Sequence, residues 1–318
     1  MEIIRPAGAG ISADGARTVV ALGFFDGMHR AHTALLARAA ALARELGATP
    51  VVCSFGDAGI KPGVPRLLSE EEKLRRMAAS GMARAYLLDF SAVRDLAPAD
   101  FAQSVLLGGL NAVGAVCGYN FRFGRGGAGD AAALRALLAP AGCRTEILPA
   151  MTVGGVPVSA SEIRAALEEG DAAAAGRLLG RPYSLSGRVL HGKALGRTIG
   201  IPTANLAFPC GRLVPAHGVY AVLCRLGDGG DPPGNGFLPG MANVGVRPTV
   251  EEGGAVNCET HLLCGDAGDL YGKELTVYFI RRLRGEIKFG SVDALHTQLL
   301  RDRNAAKECL LTWENGQN

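Results

Sequence analysis

Four glycines, Gly187, Gly192, Gly196 and Gly200, lead into Pro202-Thr203-Ala204-Asn205 within the string SGRVLHGKALGRTIGIPTANL that runs from Ser186 to Leu206. Glycine lets a backbone approach a ligand closely and turn through positive φ, so this composition suits a chain that wraps phosphates. Thr203 adds a hydroxyl and Asn205 an amide oxygen, neutral donors suited to a Mg²⁺ that also binds nucleotide phosphates. A glycine-rich hairpin followed by a turn would read the same way, and no G-x-x-x-x-G-K-[ST] loop occurs. A second group, Gly23-Phe24-Phe25-Asp26-Gly27-Met28-His29-Arg30-Ala31-His32, follows an apolar run and opens a helical pattern. Backbone N–H groups and the helix dipole favour an anion there. His29 and His32 lie three apart, on one helix face, and paired donors at that place could stabilise charge growing on an α-phosphate. Taken plainly, they are two surface histidines at a helix start.

One competing pattern is Gly124-Arg125-Gly126-Gly127-Ala128-Gly129, which satisfies G-x-G-x-x-G, with Glu146 at about the spacing of a ribose-binding acid. Its glycines do not follow their strand directly, because Gly118–Phe123 intervenes, and the chain holds 45 glycines, so the match is cheap. A dinucleotide oxidoreductase is disfavoured on that ground.

These groups need elements to position them. Thr18–Phe25, Pro50–Phe55, Arg84–Phe90 and Ala112–Cys117 are apolar runs that hardly alternate, as strands buried on both faces do. Between the first two, Leu35, Leu36, Ala39, Leu42, Ala43 and Leu46 repeat at helical spacing, and Gly47 closes that helix. Ser69-x-x-Glu72 forms a capping box for a helix to about Ser80. Strands alternating with helices imply a parallel doubly wound sheet. After Gly180-Arg181-Pro182 the grammar changes. Leu185–Leu190, Gly218–Leu226, Met241–Val246, Asn257–Leu263 and Glu274–Leu283 read as strands separated by Gly/Pro/Asp turns, the pattern of an antiparallel barrel. Residues 291–312 return to helical period, with Ser291 as N-cap and Leu295, Leu299, Ala306 and Leu310 as the apolar stripe. The expected division is 1–183 and 184–318.

The 318 residues allow two cores. With 48% hydrophobic and 20% charged residues the chain has the composition of a soluble globular protein, and no apolar run reaches the ~18 residues of a membrane span. The N-terminus MEIIRPAGAG has no secretory pattern, so a cytoplasmic location and no membrane partner are expected. A net charge of +3 is too small to suggest a nucleic-acid surface. The eight cysteines contain no C-x-x-C pair and are expected to be buried free thiols. His191, His217, His261 and His296 show no metal-ligand spacing.

The glycine string and Pro202-Thr203-Ala204-Asn205 closely resemble the ATP/Mg loop of riboflavin kinases, and the Gly23–His32 group resembles the G-x-F-D-G-x-H-x-G-H motif of bacterial bifunctional riboflavin kinase/FAD synthetases. Gly118-Tyr119-Asn120-Phe121-Arg122-Phe123-Gly124 is similar to that family's flavin- and nucleotide-side loop, and Val158–Arg164 to its I-S-S-T-x-I-R string. Asn243–Thr249, Asn257-Cys258-Glu259-Thr260-His261, Asp269–Lys273 and Leu283–Phe289 resemble further kinase elements. Three departures stand out: Ala31 replaces the family's glycine, Phe55-Gly56-Asp57-Ala58-Gly59 replaces F-x-P-H-P, and Glu162 stands where a basic or neutral residue is common.

The resemblance implies a Rossmann-like nucleotidyltransferase domain followed by a riboflavin kinase barrel with a C-terminal helix. Small-molecule substrates riboflavin, FMN and ATP are implied, with Mg²⁺. It implies Glu259 as the base for the ribityl 5′-hydroxyl, with Gly192, Gly196, Arg197, Gly200, Pro202, Thr203 and Asn205 around Mg-ATP. In the first domain it implies His29 and His32 as catalytic, and Gly23, Phe25, Asp26, Gly27, Ser159, Ser161 and Arg164 as ATP-binding. Asn120, Phe121, Arg122, Arg284 and Glu286 would contact flavin. The alternatives are a riboflavin kinase whose adenylyltransferase half is impaired, and a non-catalytic flavin-binding regulatory protein.

Overall fold

The computed structural model describes residues 1–6, 11–56, 63–191, 202–227, 236–246, 256–264 and 268–315. They form two compact units, Met1–Ala160 and Ser161–Asn318.

In the first unit, β1 (Glu2–Ile4), β2 (Thr18–Leu22), β3 (Thr49–Phe55), β4 (Arg84–Leu88), β5 (Ala112–Gly118) and β8 (Arg144–Leu148) form one parallel sheet in the order β1-β4-β3-β2-β5-β8. All five residues of β2 are buried, which explains why that run shows no polar alternation. The helices α1 (Arg30–Leu46) and α2 (Glu70–Ala79) cover one face, packing Leu36, Leu42 and Met77 against Val19, Ala21 and Val52. α1 ends where Gly47 takes φ 58° and its N–H reaches the carbonyls of Ala43 and Arg44. Ser69 and Glu72 form the expected reciprocal cap on α2. On the other face lie short turns α3 (Phe90–Val93) and α4 (Pro98–Asp100), a π-helix over Phe101–Gly109, and α5 (Ala131–Leu138). There Val105, Leu106 and Leu134 pack against Val20, Leu22 and Ala115. Two small hairpins, β6 (Arg122–Phe123) with β7 (Gly129–Asp130) and β9 (Thr152–Val153) with β10 (Val156–Pro157), decorate this unit.

In sheet order, β3 and β4 add on one side of β2 and β5 and β8 on the other. The carboxyl ends of β2 and β5 therefore flank a topological switch point, where open parallel sheets bind their ligands.

The second unit contains α6 (Ala160–Glu169), α7 (Ala172–Leu179) and a closed antiparallel barrel. Its strands are β11 (Tyr183–Leu190), β12 (Ala204–Ala207), β13 (Gly218–Leu226), β14 (Leu238–Val246), β15 (Val256–Leu262) and β16 (Glu274–Arg284), in the order β11-β12-β15-β14-β13-β16. The change of grammar near residue 183 marks the first barrel strand, while the compact units part earlier. Hydrogen bonds fasten α6 to the barrel unit: Ala216 N–H donates to Leu167 O at 2.9 Å and Arg282 Nη1 to Glu169 O at 3.5 Å.

Along β13, Ala221 and Leu223 join Met241, Tyr278 and Ile280 beneath the C-terminal helix α8 (Val292–Asn315), against Ala306 and Leu310. The alternate residues Tyr220, Val222 and Cys224 are fully buried on the barrel's inner side. Ser291 caps α8 by accepting the Ala294 N–H at 3.2 Å, and the half-buried Trp313 packs near the helix end. Cys53, Cys117, Cys143, Cys224 and Cys258 are buried free thiols, whereas Cys210 and Cys264 are exposed and Cys309 is half-buried. Burial pushes the Cys53 thiol up to about 12, which keeps it un-ionised and inert.

Candidate active sites

The turn after β2 is built from its own side chains. The strand stops at Leu22 instead of running on to Phe25, because Phe25 takes φ 59° and folds its ring back over Gly23. A Cβ at Gly23 would meet that ring at 3.1 Å, a tight approach that glycine avoids. The Phe25 ring is fully buried in the core under α1. The buried Asp26 carboxylate accepts the Leu67 N–H, with oxygens at 3.1 and 3.4 Å, and so clamps the turn to the segment before α2. Gly27 follows at φ 77°.

His29 is the N-cap of α1 and is itself buried. Its Nδ1 accepts the His32 N–H at 3.3 Å, so the neutral ring carries its proton on Nε2. The two imidazoles are thus brought together at the positive end of a 17-residue helix. Ala31 is half-buried in the first turn beside them.

β5 pairs with β2, Ala21 opposite Val116, so the loop after β5 leaves the sheet next to the histidine turn. In that loop Asn120 and Arg122 are exposed. Phe121 stacks on Phe123 at 5.7 Å, and Phe123 leans on Phe101 at 5.6 Å. The competing glycine pattern is explained by packing: a Cβ at Gly124 would strike Pro98 at 2.9 Å, and one at Gly129 the Phe123 ring at 2.6 Å. Glu146 is engaged by Arg38 and Arg144 at 2.6 and 2.7 Å.

Sequence reasoning missed an aromatic group at the same sheet edge. Phe24, Phe55 and Phe90 lie in series, with centroids 6.3 and 5.4 Å apart. Beside them the buried Lys73 donates to Phe55 O at 2.7 Å, its ammonium 5.5 Å from the Phe24 centroid. The signal was present, since each phenylalanine lies within one residue of the carboxyl end of a predicted strand. Gly56 packs against Glu70, whose Oε2 would lie 2.9 Å from an added Cβ. Asp57, Ala58 and Gly59 lie outside the described residues. Ser159 is half-buried just ahead of α6, and Ser161, Glu162 and Arg164 occupy its first turns.

In the second unit, Gly192, Gly196, Arg197 and Gly200 lie outside the described residues. Pro202 is exposed and Thr203 half-buried, and Asn205 is buried on β12, a strand the sequence pattern did not announce. Register places Asn205 opposite Glu259, and Glu259 opposite Asn243. Directly paired residues share a sheet face, so the three form a row across β12, β15 and β14. Asn257 Nδ2 lies 3.2 Å from both Asn205 Oδ1 and Glu259 Oε1, aiming the two acceptors together. Glu259 is exposed and Asn205 is 7% exposed, so the carboxylate meets solvent while the amide is held.

The adjacent His261 uses Nδ1 to bond Pro202 O at 2.7 Å and so anchors the start of the Pro202–Asn205 segment. Burial lowers its pKa, helped by Arg303 and Lys307 on α8 and opposed by the Pro202 bond. The neutral ring therefore donates from Nδ1. Arg284 and Glu286 follow at the end of β16, Arg284 paired to Asp302 on α8 at 2.6 Å and Glu286 3.6 Å from His217. Among the described residues no cluster of His, Cys, Asp or Glu could hold a metal. The Asn205 amide oxygen and the Thr203 hydroxyl are neutral oxygen donors on one segment, a donor chemistry that suits a cation carried in by a nucleotide.

Residues 11–162 match the FAD synthetase family model and residues 179–310 the riboflavin kinase model. The bifunctional riboflavin kinase/FMN adenylyltransferase of Pseudomonas fluorescens is 39% identical over 91% of this chain and 92% of its own length. The Escherichia coli K12 enzyme of the same description is 37% identical, again over 91% and 92%. A crystal structure from Streptococcus pneumoniae, described as a macrolide-efflux protein, superposes with TM-score 0.85 at 30% identity, covering 96% of this chain and 99% of that one. Efflux belongs to that protein's description; among the described residues of this chain no helix is long and apolar enough to cross a membrane. The paired matches and the level of identity place the chain in the bifunctional riboflavin kinase/FMN adenylyltransferase family.

Proposed function

We propose that the chain makes FMN and then FAD: the barrel phosphorylates riboflavin with Mg-ATP, and the N-terminal domain, residues 1–183, transfers AMP from a second ATP to FMN with release of pyrophosphate. The observation that carries the reading is the Asn205–Glu259 pair aimed by Asn257. Phosphorylating a primary hydroxyl requires positioning, a metal-bound triphosphate and a base at the attacking oxygen. Glu259 accepts the ribityl 5′-hydroxyl proton as that oxygen bonds to the γ-phosphorus and ADP leaves. Thr203 and Asn205 hold Mg-ATP, with Gly192, Gly196, Arg197 and Gly200 assigned to its phosphates on the resemblance.

In the adenylyltransferase half, the FMN phosphate attacks the α-phosphorus of ATP. The Nε2–H of His29 and the α1 N-terminus stabilise charge on the α-phosphate oxygens as pyrophosphate departs. His32 acts beside His29, and Ser159, Ser161 and Arg164 take the outer phosphates. Asn120, Phe121 and Arg122, at the neighbouring strand end, receive the flavin. The partners are the small molecules riboflavin, FMN and ATP, with no nucleic acid and no membrane, and the location is cytoplasmic.

The test is to incubate the protein with riboflavin, Mg²⁺ and excess ATP and to separate the flavins over time. FMN followed by FAD is expected. FMN without FAD would reduce the chain to a riboflavin kinase, and flavin binding with no product would overturn both activities.

A further inference from the structure

Arg284 ends β16, and all three of its guanidinium nitrogens are already engaged. Nε lies 3.0 and 3.1 Å from the two Asp302 carboxylate oxygens, Nη2 lies 2.6 Å from Oδ2, and Nη1 donates to Gly285 O at 2.8 Å. Gln298 Nε2 adds a bond to Asp302 Oδ1 at 2.8 Å. Asp302 is 3% exposed and belongs to α8, so a bidentate pair between a half-buried arginine and a buried carboxylate joins the last barrel strand to the C-terminal helix. The Phe289 ring lies 5.9 Å from the same guanidinium.

Arg284 also stands at the edge of the catalytic row. It pairs with Val219, Val219 with Asn243, and Asn243 with Glu259. Two residues beyond it, the Glu286 carboxylate sits so close over Gly245 that an added Cβ would collide with Oε1. Gly245 is in turn the register partner of Asn257, the residue that aims Asn205 and Glu259.

We infer that Asp302 is a positioning residue for the kinase site: it fixes Arg284, and through Gly285 it seats the Glu286 carboxylate over Gly245, beside the Asn257–Glu259 pair, at the flavin end of the site. Arg284 then shapes the flavin pocket from behind and does not grasp the ligand. The inference rests on the kinase assignment above. It predicts that the length and charge of residue 302 control riboflavin affinity more than ATP affinity.

The test uses the full chain with three variants, Asp302→Asn, Asp302→Glu and Gly245→Ala, reading KM for riboflavin, KM for ATP, kcat and the melting temperature, with conversion of supplied FMN to FAD as an internal control. Asp302→Asn should raise KM for riboflavin roughly tenfold or more, with KM for ATP and FAD formation unchanged, and Asp302→Glu should recover part of the loss. Gly245→Ala leaves the ion pair intact but displaces Glu286, and should reproduce the riboflavin effect. If Asp302→Asn lowers only the melting temperature, the pair is a structural clasp and the inference fails. If Asp302→Asn does not fold, an unchanged riboflavin KM in Gly245→Ala overturns it alone. Absence of FMN formation in the unsubstituted protein would instead overturn the kinase assignment.

Discussion

The imidazoles of His29 and His32 lie face to face, centroids 3.6 Å apart and planes 15° apart, while the His32 N–H donates to Nδ1 of His29. Phe25 meets the outer histidine edge-on at 5.1 Å. His29 thus has two duties, capping the start of the helix and presenting Nε2–H at its positive end.

Those duties separate by substitution. His29→Ala should cost about 1 kcal/mol through the lost cap and lower pyrophosphate release from ATP and FMN by roughly 10²-fold or more. His29→Asn should restore the cap and the melting temperature without restoring the rate. Wild-type turnover in His29→Asn would remove His29 from the chemistry.

Glu259→Gln keeps the side chain's shape and removes its basicity. FMN formation should fall by roughly 10²–10⁴-fold. Because Glu259 is exposed, stability should change by no more than about 0.5 kcal/mol. Supplied FMN should still become FAD, a result that locates the defect in the barrel.

His261 makes stability depend on pH. Its folded pKa is depressed from 6.5 by burial, so the unfolded chain binds the proton more readily. The contribution is complete above 6.5 and declines as pH falls toward the folded value, where it levels off. Melting scans from pH 7.5 down to 5 should show this loss, and His261→Gln should flatten that component. A parallel decline in both proteins would assign the pH dependence to other groups.

Gly129→Ala places a methyl group on the Phe123 ring, where an added Cβ lies 2.6 Å away. Overpacking of this kind costs about 1–3 kcal/mol. Since Phe123 supports Phe121, KM for FMN in FAD formation should rise while riboflavin phosphorylation is unaffected. Kinetics of the two reactions on one preparation check this directly.

The elements legible in the chain are those whose signals are local. Gly218–Leu226, the Ser69/Glu72 cap, the Gly47 stop and the Ser291 cap all stand where pattern and capping chemistry place them. β12 escaped because four residues, Ala204–Ala207, carry no measurable period and two of them are alanines, which have little strand preference. Its hydrogen bonds to β11 and β15 make it a strand. The edge strands β1 and β8 and the π-helix Phe101–Gly109 were similarly unannounced, being short or locally unusual.

Residue type and spacing alone established the kinds of chemistry present: two histidines at a helix start, a glutamate in a strand string, and a Thr/Asn pair after glycines. They also established that an α/β half precedes a β half. Register and burial added what spacing cannot carry. Glu259 faces Asn205 across 54 positions of chain because β12 and β15 pair. Asp26 turns inward to Leu67, and Arg284 is taken up by Asp302, because burial demands partners for their charges. Contacts between residues distant in sequence depend on how strands align, and that alignment is settled by packing of the whole unit.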